Sequence, residues 1–157
     1  MLKIRKMENS REKAAIAREI LSALPDWFGV PESVEKYVRE SMDMPFWAAF
    51  QEEKAVGFVA MKQTGAVTGE IFVMGVLPEF HRAGVGRQLV ETLEAHAREA
   101  GCRYLQVKTV RIGQYEIYDR TNRFYVAMGF DELECFPQLW DESNPCQIYV
   151  KYIGGAL

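Results

Sequence analysis

Gly84 and Gly86 stand one residue apart in the stretch HRAGVGRQLVETLEAHAREAG (81–101), where a helical pattern begins. Inside a helix each glycine would cost roughly 1 kcal/mol against alanine. The first four N–H groups of a helix lack intrahelical partners, and the helix dipole favours negative charge there. Small residues let a phosphate reach those amides, so a glycine-rich turn between strand and helix is a natural phosphate cradle. A tight turn with no ligand is the plainer alternative. The common nucleotide patterns fail. A P-loop needs Lys and Ser/Thr after its last glycine, where Arg87 and Gln88 stand. A dinucleotide fingerprint needs a third glycine where Leu89 stands.

Glu70 is the second residue with chemical potential, as the one ionisable group in the apolar run GEIFVMGVLP (69–78). Period-two alternation puts it on the face of Phe72, Met74 and Val76 if no bulge intervenes. A carboxylate buried there suits a general base. A charge at the start of the strand is the competing reading. Gly75 interrupts the same run. A glycine inside a strand marks a bulge, a close backbone approach or a packing concession.

The elements that must hold these residues follow from periodicity. LKIRKM (2–7) alternates as a strand. A helix capped by Asn9 or Ser10 follows, with Ile16, Ile20, Leu21 and Leu24 on one face and Pro25 as its stop. A second helix starts at Pro31. FWAAFQE and KAVGFVAMKQ read as a hairpin turning at 52–54. The apolar run 69–78 reads as a central strand. The helix after the glycines carries Val85, Leu89, Val90, Leu93 and Ala97 on one face and ends at Gly101. YLQVKTV is a strand and TNRFYVAMGF a short helix ending at Gly129. DELECFPQLW and CQIYVKYI are strands separated by the turn-rich DESNP. The sum is an α/β (α+β) chain with a mixed, mostly antiparallel sheet of about seven strands and helices on both faces.

Composition narrows the class. With 157 residues, 48% hydrophobic and 26% charged, the expectation is one domain spanning 1–157. A net charge of -3 lacks the basic footprint of a general nucleic-acid binder. No apolar run is long enough to span a bilayer, and MLKIRKMENSREK does not read as a signal peptide. Cys102, Cys135 and Cys146 form neither CxxC pairs nor a cluster with His81 and His96. They read as reduced thiols of a cytoplasmic protein, with no metal site.

VLPEFHRAGVGRQLVETLEAHAREAG resembles the cofactor segment of the GNAT acetyltransferase superfamily. That segment reads Gln or Arg, two residues, Gly, one residue, then Gly or Ala, after a strand ending in a Val-x-Pro-like turn. FYVAMGF (124–130) resembles the family's later motif, Tyr, three residues, Gly-Phe. One helix and one strand separate the two, as in the family, and the order of elements matches along essentially the whole chain. The resemblance implies acetyl-CoA as co-substrate, without a metal. The pyrophosphate would lie on the amides of Arg82, Ala83, Gly84, Val85, Gly86 and Arg87. The pantetheine arm would pair with Met74, Gly75 and Val76, with the Val76 amide polarising the thioester carbonyl. Tyr125 holds the place of the general acid, and a carboxylate on the Glu70 strand commonly serves as base, often through water. Two positions depart from the pattern. His81 stands where the family has Gln or Arg, and Tyr118 stands where many members carry a cofactor-binding Asn, with Asn122 one turn later.

The resemblance also implies an acceptor pocket walled by the region of the first two helices and by the last two strands. The candidate walls are Trp27, Phe28, Phe46, Trp47, Phe136 and Trp140, with Asp141 and Glu142 at the rim. An amine with an apolar body is the expected acceptor. Exposed strands near the C-terminus would permit a homodimer. The expected activity is direct acetyl transfer to a primary amine of a small molecule or peptide, without nucleic-acid or membrane partners. A non-catalytic acyl-CoA-binding or sensor module is the competing class, and a nucleotide-binding α/β protein is disfavoured by the failed fingerprints.

Overall fold

A computed structural model describes residues 1–154. Seven strands are ordered β1-β2-β3-β4-β5-β7-β6 in one mixed sheet, accompanied by four helices. The described residues group into two compact units, one of residues 1–62 and 71–96, the other of residues 63–70 and 97–154.

The first unit opens with β1 (Leu2–Met7), which pairs antiparallel with β2 (Phe46–Gln51). β2 pairs antiparallel with β3 (Lys54–Gly65), with a register shift at Ala49/Phe50. A two-residue turn leads from β3 into β4 (Thr68–Val76). Helix α1 (Ser10–Ser22) is capped by Asn9, whose side chain accepts from the Glu12 amide at 3.0 Å. Helix α2 (Pro31–Ser41) places Pro31 in its first turn, where no backbone donor is needed. Arg18 on α1 grips Glu35 on α2 through two bonds of 2.9 Å.

Two glycines let helices approach the strands. A side chain at Gly75 would begin 3.0 Å from Ile20 Cγ2, 3.2 Å from Leu24 Cδ1 and 3.4 Å from Phe58 Cε1. One at Gly57 would begin 3.0 Å from Val85 Cγ1 and 3.3 Å from Leu89 Cδ1, both on α3 (Val85–Glu99). Gly57 and Phe58 are consecutive on β3 and point to opposite faces. Phe58 lies on the α1 side, so α1 and α3 cover opposite faces of this part of the sheet. Of the roles open to Gly75, close packing under α1 is the one its surroundings show.

Alternation along β4 is broken. Lys62 shares the Phe58 face of β3 by even spacing, and its Nζ lies 5.9 Å above the Phe72 ring. Phe72 also meets Tyr37 of α2 at 5.5 Å. Phe72 and Gly75 therefore face the same helical layer although they are three positions apart. An odd interval on one face requires an extra residue, so the strand bulges between them.

In the second unit, β5 (Tyr104–Val110) pairs antiparallel with β7 (Asn144–Tyr152), and β7 with the edge strand β6 (Asp131–Asp141). Helix α4 (Glu116–Ala127) starts five residues before the expected Thr121. The β6–β7 turn is shorter than expected. Only Glu142 and Ser143 lie between the strands, and Asn144 and Pro145 of the DESNP run already belong to β7.

The end of α4 explains a sequence spacing. Gly129 has φ +94, its amide donates to the Val126 carbonyl at 3.0 Å, and the Phe130 amide donates to the Tyr125 carbonyl at 3.0 Å. These two bonds form a Schellman cap. Tyr, three residues, Gly-Phe is thus the spacing that ends this helix with Tyr125 in its last turn.

Gly75→Val should destabilise the protein by about 1–3 kcal/mol through overpacking against Ile20 and Leu24. Chemical denaturation measures this, and an unchanged midpoint would contradict the packing role.

Candidate active site

The β4–α3 connection runs through a 3-10 turn at Pro78–Phe80 and then two residues in the left-handed region, Arg82 at φ +67 and Gly84 at φ +80. Gly84 adopts such a φ without strain, whereas Arg82 holds it at a cost of order 1 kcal/mol or more. Nothing lies within 4 Å of where a Gly84 side chain would begin, so the turn is open to a close approach. Helix α3 starts directly after Gly84. Its first bond runs from the Gln88 amide to the Gly84 carbonyl at 3.1 Å. The amides of Val85, Gly86 and Arg87 therefore precede the helical ladder, at the positive end of the dipole. Gly86 sits inside the first turn rather than ahead of the helix. Val85 is buried as the helix anchor, while His81, Arg82, Ala83 and Arg87 are exposed. The geometry suits a phosphate-bearing ligand.

Val76 ends β4 with its polar groups turned outward. The next residue, Leu77, donates its amide to Val56 of β3 at 2.9 Å. Backbone groups of successive strand residues point to opposite edges. The Val76 N–H and C=O therefore point away from β3, where an extended ligand can pair with them. The Val76 carbonyl already has a partner, since His81 Nε2 lies 2.7 Å from it. A carbonyl only accepts, so Nε2 carries the proton. His81 also meets Trp27 edge-on at 5.8 Å.

Glu70 is buried, and two β5 side chains face it. Gln106 Nε2 donates to its Oε1 at 3.2 Å, and Lys108 Nζ lies 3.5 Å from the same oxygen. Among the described residues nothing bonds Oε2. Sequence reasoning did not find the Lys108 partner, because nothing local in YLQVKTV marks which residue Lys108 faces across the sheet.

Tyr125 is buried among Phe124, Phe130 and Tyr149, at centroid distances of 5.3, 5.6 and 6.3 Å. Burial pushes its phenol pKa upward, so the hydroxyl keeps its proton at neutral pH. Asn122 is committed internally. Its Nδ2 donates to the carbonyls of Val110 at 2.8 Å and Tyr118 at 2.6 Å, and its Oδ1 accepts from Tyr149. It ties α4 to β5 and β7 and has no group to spare for a ligand. Tyr118 is half-buried with its ring 6.0 Å from Tyr115.

The aromatic set divides. Trp27 and Phe28 are half-buried between α1 and α2, and Phe28 meets Tyr37 edge-on at 5.8 Å. Phe28, Tyr37 and Phe72 thereby form a continuous aromatic row. Trp47 belongs to the core, at 4% exposure with its ring 5.0 Å from His96, so it is no pocket wall. Phe46 is likewise buried, stacked 5.1 Å from Phe58. In the second unit, Trp140 is exposed on β6, and Phe136, Pro137, Gln138 and Leu139 line a shallow depression. Asp141, exposed at the β6–β7 turn, accepts from the Ser143 amide at 3.0 Å and Asn144 Nδ2 at 2.8 Å.

Among the described residues, no group of three or more His, Cys, Asp or Glu is placed to hold a metal ion, and no helix is long and apolar enough to cross a membrane.

This arrangement has counterparts in known proteins. The family model described as the acetyltransferase (GNAT) family matches residues 14–130, and the chain belongs to that family. It is similar to the uncharacterized N-acetyltransferase CT2212 of Chlorobaculum tepidum, 29% identical over 86% of this chain and 81% of that one. Among solved structures it is similar to a GNAT-family protein of Desulfovibrio desulfuricans, with TM-score 0.84 and 20% identity over 98% and 99% of the two chains. An aminoglycoside 6'-N-acetyltransferase complexed with coenzyme A matches with TM-score 0.77 and 19% identity over 96% and 97%. The protein is an acyltransferase with the GNAT fold, in a family that uses acyl-CoA.

Cys146 is fully buried, and desolvation pushes its thiol up to about 11, ahead of a lowering by Lys108 and smaller raising effects of Cys135 and Glu70. It stays a neutral thiol at physiological pH and is no nucleophile for a covalent acyl intermediate. A thiol reagent at pH 8 should leave Cys146 unmodified until denaturant is added. Peptide mapping that finds it labelled in the native protein would contradict this.

Proposed function

We propose that the protein transfers the acetyl group of acetyl-CoA directly to a primary amine of a small molecule or peptide, within a ternary complex. The observation that carries this reading is the outward-facing Val76 backbone next to the open Gly84 turn and the bare amides of α3. A phosphate-bearing thioester with an extended amide arm matches both. Arg82 through Arg87 would receive the pyrophosphate, and Met74 and Val76 the arm, with the Val76 N–H donating to the thioester oxygen, while Gly75 turns its own backbone groups toward β3.

The reaction forms a C–N bond and breaks the C–S bond. The amine must lose a proton and the departing sulfur must gain one. Tyr125 supplies the second, as a phenol that burial keeps protonated until negative charge develops on sulfur. Glu70 Oε2 takes the first, directly or through water. The Lys108 and Gln106 contacts on Oε1 fix the carboxylate and leave Oε2 for this task.

For the acceptor, the half-buried row of Phe28, Tyr37 and Phe72, with Trp27 beside it, supports an amine with an apolar body. The aminoglycoside enzyme of similar fold is too distant in sequence to pass on its substrate.

Acetyl-CoA-dependent thiol release, measured against polyamines, aminoglycosides, amino acids and peptide N-termini, tests the activity. Amines with an apolar body should react best, and turnover of purely acidic acceptors would sink the acceptor assignment. CoA should raise the melting temperature where ATP and NAD do not. Tyr125→Phe should lower kcat by roughly a hundredfold with little change in the acetyl-CoA KM. An unchanged kcat removes Tyr125 as the acid.

A further inference from the structure

His81 makes a bond that the phosphate turn does not require. Its Nε2–H caps the Val76 carbonyl at 2.7 Å. That carbonyl points away from β3, because the neighbouring Leu77 amide is the one bonded to Val56. Under the proposed function, the same carbonyl is the acceptor for an amide of the pantetheine arm. The imidazole is an exposed side chain reaching back five residues from the turn to the strand end. It therefore stands where the arm has to pair, and it supplies the donor that the arm would supply.

We propose that His81 is a place-holder for the pantetheine amide. It satisfies the Val76 carbonyl in the free protein and is displaced when acyl-CoA enters. The inference rests on the acyl-CoA reading given above and goes beyond it. Displacement has a second consequence, because the imidazole also packs edge-on against Trp27 at 5.8 Å. Trp27 lies between α1 and α2, on the side where the acceptor is expected. Removal of the imidazole from Val76 necessarily changes what Trp27 packs against. His81 thus relays the arrival of acyl-CoA to the acceptor wall, and both contacts lie within the first unit. His81 acts through the Val76 backbone and through Trp27, which makes it a positioning residue.

The sign of the effect separates this role from an ordinary supporting one. A side chain that helps to bind CoA lowers affinity when removed. A side chain that must be displaced raises it, by about fivefold for one net hydrogen bond. Calorimetric titration of CoA into wild type, His81→Ala and His81→Gln provides the comparison. His81→Ala should bind CoA about fivefold more tightly than wild type. His81→Gln, which keeps a donor, should stay near wild type. In parallel, saturating CoA should change the tryptophan emission of wild type, and His81→Ala or Trp27→Phe should remove that change. Equal or weaker CoA binding by His81→Ala overturns the place-holder role, and a CoA-induced emission change that survives in Trp27→Phe overturns the relay. Failure of the wild type to bind CoA defeats the acyl-CoA reading and this inference together, whereas binding without the predicted rank order defeats this inference only.

Discussion

One backbone alternation organises the candidate site. Leu77 gives its amide to Val56, so Val76 must turn its own N–H and C=O to the other edge of the strand. Nothing about the Val76 side chain matters to this. The last pairing of β4 with β3 decides it, and that pairing depends on how β4 lies in the sheet. Gly75 lets α1 press Ile20 and Leu24 onto the strand at 3.0 and 3.2 Å, and Gly57 lets α3 press Val85 and Leu89 onto the opposite face. The strand end that presents Val76 is clamped from both sides.

The clamp and the glycine turn share one helix. Val85 is buried as part of the α3 anchor and also opens that helix, so the same residue that packs on Gly57 sets the direction of the three amides ahead of the ladder. The left-handed Arg82 and Gly84 accomplish the reversal between β4 and α3 in few residues. The site is therefore mostly backbone: amides, a carbonyl and a dipole, held by apolar packing beneath. The amides ahead of α3 are fixed in place by this packing, whereas the carbonyl is covered by His81.

Side chains are arranged with more individuality. Glu70 is buried but engaged on one oxygen, and Tyr125 is enclosed by aromatic rings while its carbonyl closes the end of α4. Asn122, which looked available for a ligand, is consumed in joining α4 to β5 and β7. Two tryptophans expected in one pocket part company, Trp47 into the core beside His96 and Trp27 to the half-buried surface beside His81.

The sequence by itself determined the order and type of the eleven elements and the family, and it drew attention to the glycine turn ahead of α3. Those properties are local: apolar periodicity, a cap at Asn9, a glycine with positive φ at Gly84 and another at Gly129. The start of α4 at Glu116 and the continuation of β3 to Gly65 escaped it, since Thr64 and Gly65 carry no apolar alternation and Ile117 with Tyr118 is too short a run to show a helical period. Only the tertiary structure decided the partners that lie far apart in the chain. It set Lys108 against Glu70, α1 against Gly75, Trp47 against His96 and His81 against the Val76 carbonyl. Each of those contacts depends on strand order and register, and a one-residue slip in a strand sends a side chain to the opposite face. No spacing in one dimension encodes that slip, which is why local elements were legible and long-range partners were not.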